Sequence, residues 1–169
     1  MNKLCVMVGL SASGKSSTIK ELIANDKNDS VVHGLLAKNT IVVSTDDIRS
    51  EICNGNVSDQ SKNNKVFDIF HERIRSGLLH GHNVIADATN VTKKSRKNIL
   101  NCADGIDCYK LAVFVDKSIE NCKADDVHRK WPVSDYVIDR QANQLKSCPL
   151  SINEGFDEII IVNANKKRW

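Results

Sequence analysis

The residues best equipped to do chemistry are GLSASGKSS, positions 9–17, where two glycines five apart lead into a lysine and hydroxyl side chains. Glycines let a backbone turn its N–H groups around phosphate oxygens, and a helix starting there adds its positive end. In the pattern G-x-x-x-x-G-K-[ST], the lysine neutralises the β- and γ-phosphates and the next hydroxyl holds Mg²⁺. Those roles fall on Lys15 and Ser16. Ser11, Ala12, Ser13, Gly14, Lys15, Ser16 and Ser17 are therefore the expected contacts of a nucleoside triphosphate such as ATP. The structural alternative is a plain Gly-Ser turn. The context favours the phosphate loop, because an apolar strand-like run, KLCVMV, precedes it and a helix-like stretch follows.

Two further polar clusters close apolar runs: STDDIR at 44–49 and ADATN at 86–90. In an open parallel sheet, ligands gather at the carboxyl ends of the strands, so both clusters should face the crevice of the glycine loop. There a carboxylate can take the proton of an attacking hydroxyl, and an arginine can grip a phosphate bidentately. The competing use of Asp46 or Asp47 is as a helix N-cap. Two adjacent aspartates allow both uses. For Asp87, contact with the acceptor and an indirect part in holding Mg²⁺ or Lys15 stand level.

Elements that could position these residues recur along the chain. Strands are expected at 3–8, 40–45, 83–88, 109–115 and 158–162, separated by segments of helix length. Strands alternating with helices imply an α/β fold, a parallel five-stranded sheet covered on both faces. The clearest helix spans 58–79, with Phe67, Phe70, Ile74 and Leu78 on one face, Ser58 and Asp59 as capping candidates and Gly81 after its end. Another is expected to begin near Pro132 and run to about Leu145. Residues 25–39 read as a loop with at most one short helix.

At 169 residues the chain is expected to form one domain, 1–169, with a core large enough to need no staples. Apolar content of 41% and charged content of 27% are ordinary for globular proteins. The longest apolar runs, such as 159–162, are too short to cross a bilayer, and the amino terminus reads as a strand, not a leader. The net charge of +3 is too small by itself to argue for a nucleic-acid partner. Six cysteines (5, 53, 102, 108, 122, 148) without a C-x-x-C spacing suit reduced thiols in a cytosolic protein, with neither disulfides nor zinc.

Taken together, GLSASGKSS, STDDIR, FDIFHERIRSGLLHGHN, VIADATNVTKKSRK and DYVIDRQ…EGFDEIIIV resemble the kinase domain of the polynucleotide 5'-hydroxyl kinases, over about residues 3–163. The resemblance implies a single-domain P-loop kinase with a helical lid at about 117–132, using ATP and Mg²⁺. By position it implies Asp46 as general base, Arg49 gripping the phosphate of the terminal nucleotide, and Asp87, Thr89 and Asn90 shaping the acceptor pocket. In the lid, Arg129 is the expected cation over the ATP phosphates. The chain departs from the family here, since Lys123, Arg129 and Lys130 stand where the lid usually offers arginines, interrupted by Asp125 and Asp126. Lysine lacks the guanidinium fork. Residues 26–39 also look longer than the family loop.

A 5'-hydroxyl end of RNA or DNA is then the expected partner, with Lys93, Lys94, Arg96 and Lys97 lining the strand's path. On residue types alone, these four read more simply as a solvated helix face. Other acceptors stay open: a small hydroxyl metabolite, a nucleotide-sugar or an aminoacylated tRNA. A nucleotide-binding switch without turnover is a third reading, against which Asp46 counts. Few aromatic residues are free for base stacking, so contact is expected with only the first one or two nucleotides.

Overall fold

A computed structural model describes residues 1–25 and 32–165. Strands β1 (Asn2–Val8), β2 (Thr40–Ser44), β3 (Asn83–Asp87), β4 (Cys108–Asp116) and β5 (Glu158–Asn163) form one parallel sheet in the order β2-β3-β1-β4-β5. Each lies within one residue of its expected bounds. The inner strand β1 explains why the pattern was readable. Its side chains alternate between two cores, with Leu4, Val6 and Val8 on one face and Cys5 and Met7 on the other. A strand buried on both faces reads as a continuous apolar run.

The helices are α1 (Lys15–Leu22), α2 (Thr45–Ile52), α3 (Asn63–Leu79), α4 (Lys93–Asn101), α5 (Ile119–Asp126) and α6 (Asp135–Ser147), followed by a 3₁₀ turn at Ile152–Glu154. Helix α3 lays Val66, Phe70, Ile74 and Leu78 into one core, each fully buried side chain contributing about 1.5–3 kcal/mol. Helix α1 closes the opposite core through Ile19 and Leu22. A third, smaller cluster of Leu10, Val91, Cys122 and Ile138 seats α5 and α6 against the end of β1.

Two helix starts differ from expectation. Helix α3 begins at Asn63, because Asn56 Oδ1 accepts from the Ser58 N–H at 3.1 Å and Asp59 Oδ1 from the Ser61 N–H at 2.8 Å. Such local bonds hold 56–61 in turns that compete with a helix. Phe67 is not a core residue; it is 36% exposed, and Val66 takes the buried place. Helix α6 begins at Asp135 because the Asp126 carboxylate accepts from the Val133 and Ser134 N–H groups at 3.1 Å, keeping that stretch in a loop.

Of the ambiguous segment 25–39, residues 26–31 lie outside the described residues. Residues 32–36 are turns, with Val32 and Leu36 buried against the α1 core. All six cysteines are free thiols. Among the described residues no helix is long and apolar enough to cross a membrane.

Candidate active site

The chain leaves β1 into the loop 9–14 at the point where the sheet order reverses, with β3 on one side of β1 and β4 on the other. Ligands of open α/β sheets bind at such a point. Gly14 opens α1 at φ 100°, and Ala12 is also left-handed at φ 62°. Gly9 is required by space: a Cβ there would meet Ser13 Oγ at 2.7 Å and the Val115 carbonyl at 3.0 Å. Ser13 Oγ itself is buried without a hydrogen-bond partner among the described residues. A loop too tight for a Cβ at Gly9, holding an orphaned hydroxyl beside a helix N-terminus, fits a phosphate.

Lys15 bends back to donate to the Gly9 and Leu10 carbonyls at 3.1 and 2.7 Å. Burial pushes its ammonium down to about 8, against which Asp87 pulls it up and Arg129 presses it further down. Asp87, at the end of β3, is raised above the usual carboxylate range chiefly by burial, with Lys15 opposing and Asp46 and Asp47 adding to the rise. Lysine and carboxylate therefore face each other in one crevice.

The acid side of that crevice is the first turn of α2. Its N-cap is neither aspartate: Ser44 Oγ accepts from the Asp47 N–H at 3.4 Å. Asp46 is free of capping duty. Its carboxylate is 54% exposed and accepts from Arg49 Nη1 at 3.3 Å. Arg49 also donates from Nη2 to Asn63 at 2.8 Å, and its Nε is buried without a partner among the described residues. Both residues line the same cleft as the glycine loop, together with Phe67, Asp87 and Thr89. At about 1280 Å³ the cleft exceeds the range of a single-ligand pocket and has room for a donor and an acceptor.

The lid segment and α6 bring three cations to this cleft. Arg129 lines it, pairing with Asp126 at 3.3 Å. Lys117 and Arg140 were not anticipated. Lys117 donates to the Ala12 carbonyl at 3.1 Å and pairs with Asp125, while Arg140 projects from α6. Only 119–126 of the lid is helical. Gln141, also unforeseen, binds Ser11 of the loop. Its place three residues after the buried Ile138, on the inner face of α6, was the available signal.

Two expected substrate contacts sit elsewhere. Asn90 is 3% exposed, with left-handed φ 49°, and donates to the Met7 carbonyl at 2.7 Å. The carbonyl of its neighbour Thr89, which lines the cleft, accepts from the Gly9 N–H at 3.0 Å. Asn90 thus ties the third strand to the glycine loop from behind. Arg96 is neither on a strand path nor on a solvated face. It is completely buried, donating to Glu154 at 2.8 Å and to the Asn90 and Cys148 carbonyls at 3.1 and 2.8 Å. A buried charge must be paired, and this one is. Lys93, Lys94 and Lys97 are exposed on α4 and do not line the cleft.

A family profile described as an AAA domain matches residues 4–148. Comparison with curated proteins finds no match. Among solved structures, a chain of a Pnkp1/Rnl/Hen1 RNA repair complex aligns with TM-score 0.69 at 20% identity, covering 92% of this chain and 46% of that one. A gluconokinase from Sinorhizobium meliloti aligns with TM-score 0.56 at 15% identity, over 98% and 84%. A sugar kinase from Janibacter gives 0.61 at 14%, over 99% and 88%. The chain spans less than half the length of the RNA-repair chain it matches, and identities this low show the fold alone. With the profile covering most of its length, and the glycine loop at the switch point of its sheet, the chain belongs to the AAA domain family and carries a P-loop kinase fold.

Proposed function

We propose that this protein moves the γ-phosphate of ATP, or another nucleoside triphosphate, to a 5'-hydroxyl end of RNA or DNA. The observation that carries the reading is the Asp46–Arg49 pair: an accessible carboxylate beside a buried guanidinium whose Nε has no partner among the described residues, facing Lys15 across one cleft. In the reaction the acceptor oxygen bonds to the γ-phosphorus, Asp46 takes its proton, and the bond to the bridging oxygen breaks to release the nucleoside diphosphate. Arg49 holds a phosphate of the acceptor, as a bidentate donor suits. Lys15, Arg129 and the N–H groups of 11–17 hold the donor, and Mg²⁺, held by Ser16, would offset charge on its β- and γ-phosphates. The free thiols suit a reducing compartment such as the cytosol.

A second reading keeps the transfer and changes the acceptor to a small hydroxyl compound such as a sugar acid. It is favoured by the gluconokinase and sugar kinase, which this chain matches over most of their own length, 84% and 88%. Transfer of labelled γ-phosphate to a 5'-hydroxyl oligonucleotide and to a panel of sugars and sugar acids decides between them. Label on the oligonucleotide supports the first reading; label on a sugar alone replaces it with the second.

A further inference from the structure

We infer that the acceptor strand leaves the cleft along a second groove on α6, in which Tyr136 stacks a base and Arg140 carries the backbone across from the cleft. The inference rests on the 5'-hydroxyl reading above. The groove, of about 430 Å³, lies between α6 and the start of α4 and is lined by Thr92, Tyr136, Asp139, Arg140, Asn143 and Gln144 among others. It shares a wall residue with the active cleft. Arg140 lines both. Residues 136, 140, 143 and 144 follow at four- and three-residue steps, so they share one face of the helix.

That face is built for a strand. Tyr136 is 74% exposed, unusual for a large ring, and makes no ring contact among the described residues. An accessible aromatic face stacks any base and is tolerant of sequence. Asn143 and Gln144 each offer a donor and an acceptor suited to base edges. Asp139 would repel a phosphate, but its carboxylate is paired with Lys123 at 2.9 Å.

The charge beside the far wall agrees. Thr92 caps α4, whose first turn carries exposed Lys93 and Lys94 and no acid. Cations at the positive end of a helix are unfavourable by themselves, and a nearby phosphate reverses that. A small acceptor ending inside the cleft would use none of these groups. The groove therefore suits a single-stranded polynucleotide extending beyond its first nucleotide.

The test compares two acceptors carrying a 5'-hydroxyl: a nucleoside 3'-phosphate, which fills only the cleft, and a single-stranded hexanucleotide, which also reaches the groove. Tyr136→Ala should raise KM for the hexanucleotide about tenfold, as removal of one stacked base implies, and leave KM for the nucleoside 3'-phosphate unchanged. Tyr136→Phe keeps the ring and should keep the wild-type KM. Lys93→Gln with Lys94→Gln should flatten the salt dependence of hexanucleotide KM by roughly 0.7 in slope for each phosphate left without its cation. Transfer to both acceptors, with hexanucleotide KM unaltered by Tyr136→Ala or raised equally for the two, overturns the groove and leaves the active-site reading standing. Wild-type protein that phosphorylates neither acceptor overturns the 5'-hydroxyl reading, and the groove with it.

Discussion

Gln141 holds Ser11 with both ends of its side-chain amide: Oε1 accepts from the Ser11 N–H at 2.9 Å, and Nε2 donates to Ser11 Oγ at 2.9 Å. A helix behind the cleft thereby fastens the first turn of the phosphate loop. Because the pair is buried, Gln141→Ala leaves a backbone N–H without a partner, which costs about 1–3 kcal/mol. Ser11→Ala removes only one of the two bonds and should cost less. A double-mutant cycle in denaturant unfolding should give a coupling of about 0.5–3 kcal/mol. Additive effects would mean that this pair does not hold the loop.

The positions of Gln141 and Arg96 explain what could be read from the sequence and what could not. Strands buried on both faces announce themselves as apolar runs, and a glycine loop has a fixed spacing, so the sheet and the glycine loop at its switch point were legible. Arg96 was not, because KKSRK looks like a solvated face and its partner Glu154 lies 58 residues away. A signal did exist. Arg96 stands three and four residues before Ile99 and Leu100, on the buried face of α4. Ser44 likewise has Asp47 three residues on, close to the spacing of a capping box, which points to the serine as N-cap instead of either aspartate. Lys117 reaches the loop through tertiary geometry alone.

Arg96 gives the sharpest stability prediction. Arg96→Met keeps an apolar stem but abandons Glu154, whose other oxygen is already committed to the Ser151 N–H. Breaking a buried pair by removing one partner costs about 3–5 kcal/mol. The exposed neighbour Lys97 is the control, and Lys97→Gln should fall within about 0.5 kcal/mol of wild type. Equal, small effects of the two variants on the urea midpoint would show that the buried clasp is not what holds the turn at Asn90.

Asp46 and Ser44 separate rate from stability. Since Ser44 is the cap, Asp46→Asn forfeits a favourable charge in the first turn of α2 and the half-exposed ion pair with Arg49, each about 0.3–1 kcal/mol. If Asp46 is the base, as proposed, the same substitution should lower kcat by about 10² to 10⁴. Ser44→Ala should cost about 1 kcal/mol through the missing cap, and it also removes a hydrogen bond from Asp87. Asp47→Ala should spare kcat. A normal rate in Asp46→Asn would remove that residue from the chemistry.

The last prediction concerns Lys15, whose ammonium is held down at about 8 mainly by burial, with Asp87 as the largest opposing influence. Its folded value lies below that of the unfolded chain, 10.5. Between the two, the unfolded state binds more protons, so this group makes stability rise with pH from about 8 to 10.5 and weakens the fold at neutral pH. Lys15→Met, which removes the charge and keeps an apolar stem, should therefore unfold at a higher urea concentration than wild type at pH 7 while losing phosphate transfer. Triphosphate binding needs the charged form. Nucleotide affinity of the wild-type protein, measured by calorimetry, should decline as pH rises through about 8. Asp87→Asn withdraws the carboxylate that favours the ammonium, so the decline should move to lower pH. An affinity flat from pH 7 to 10, or a shift upward in Asp87→Asn, would mean that Lys15 does not meet the phosphates beside Asp87.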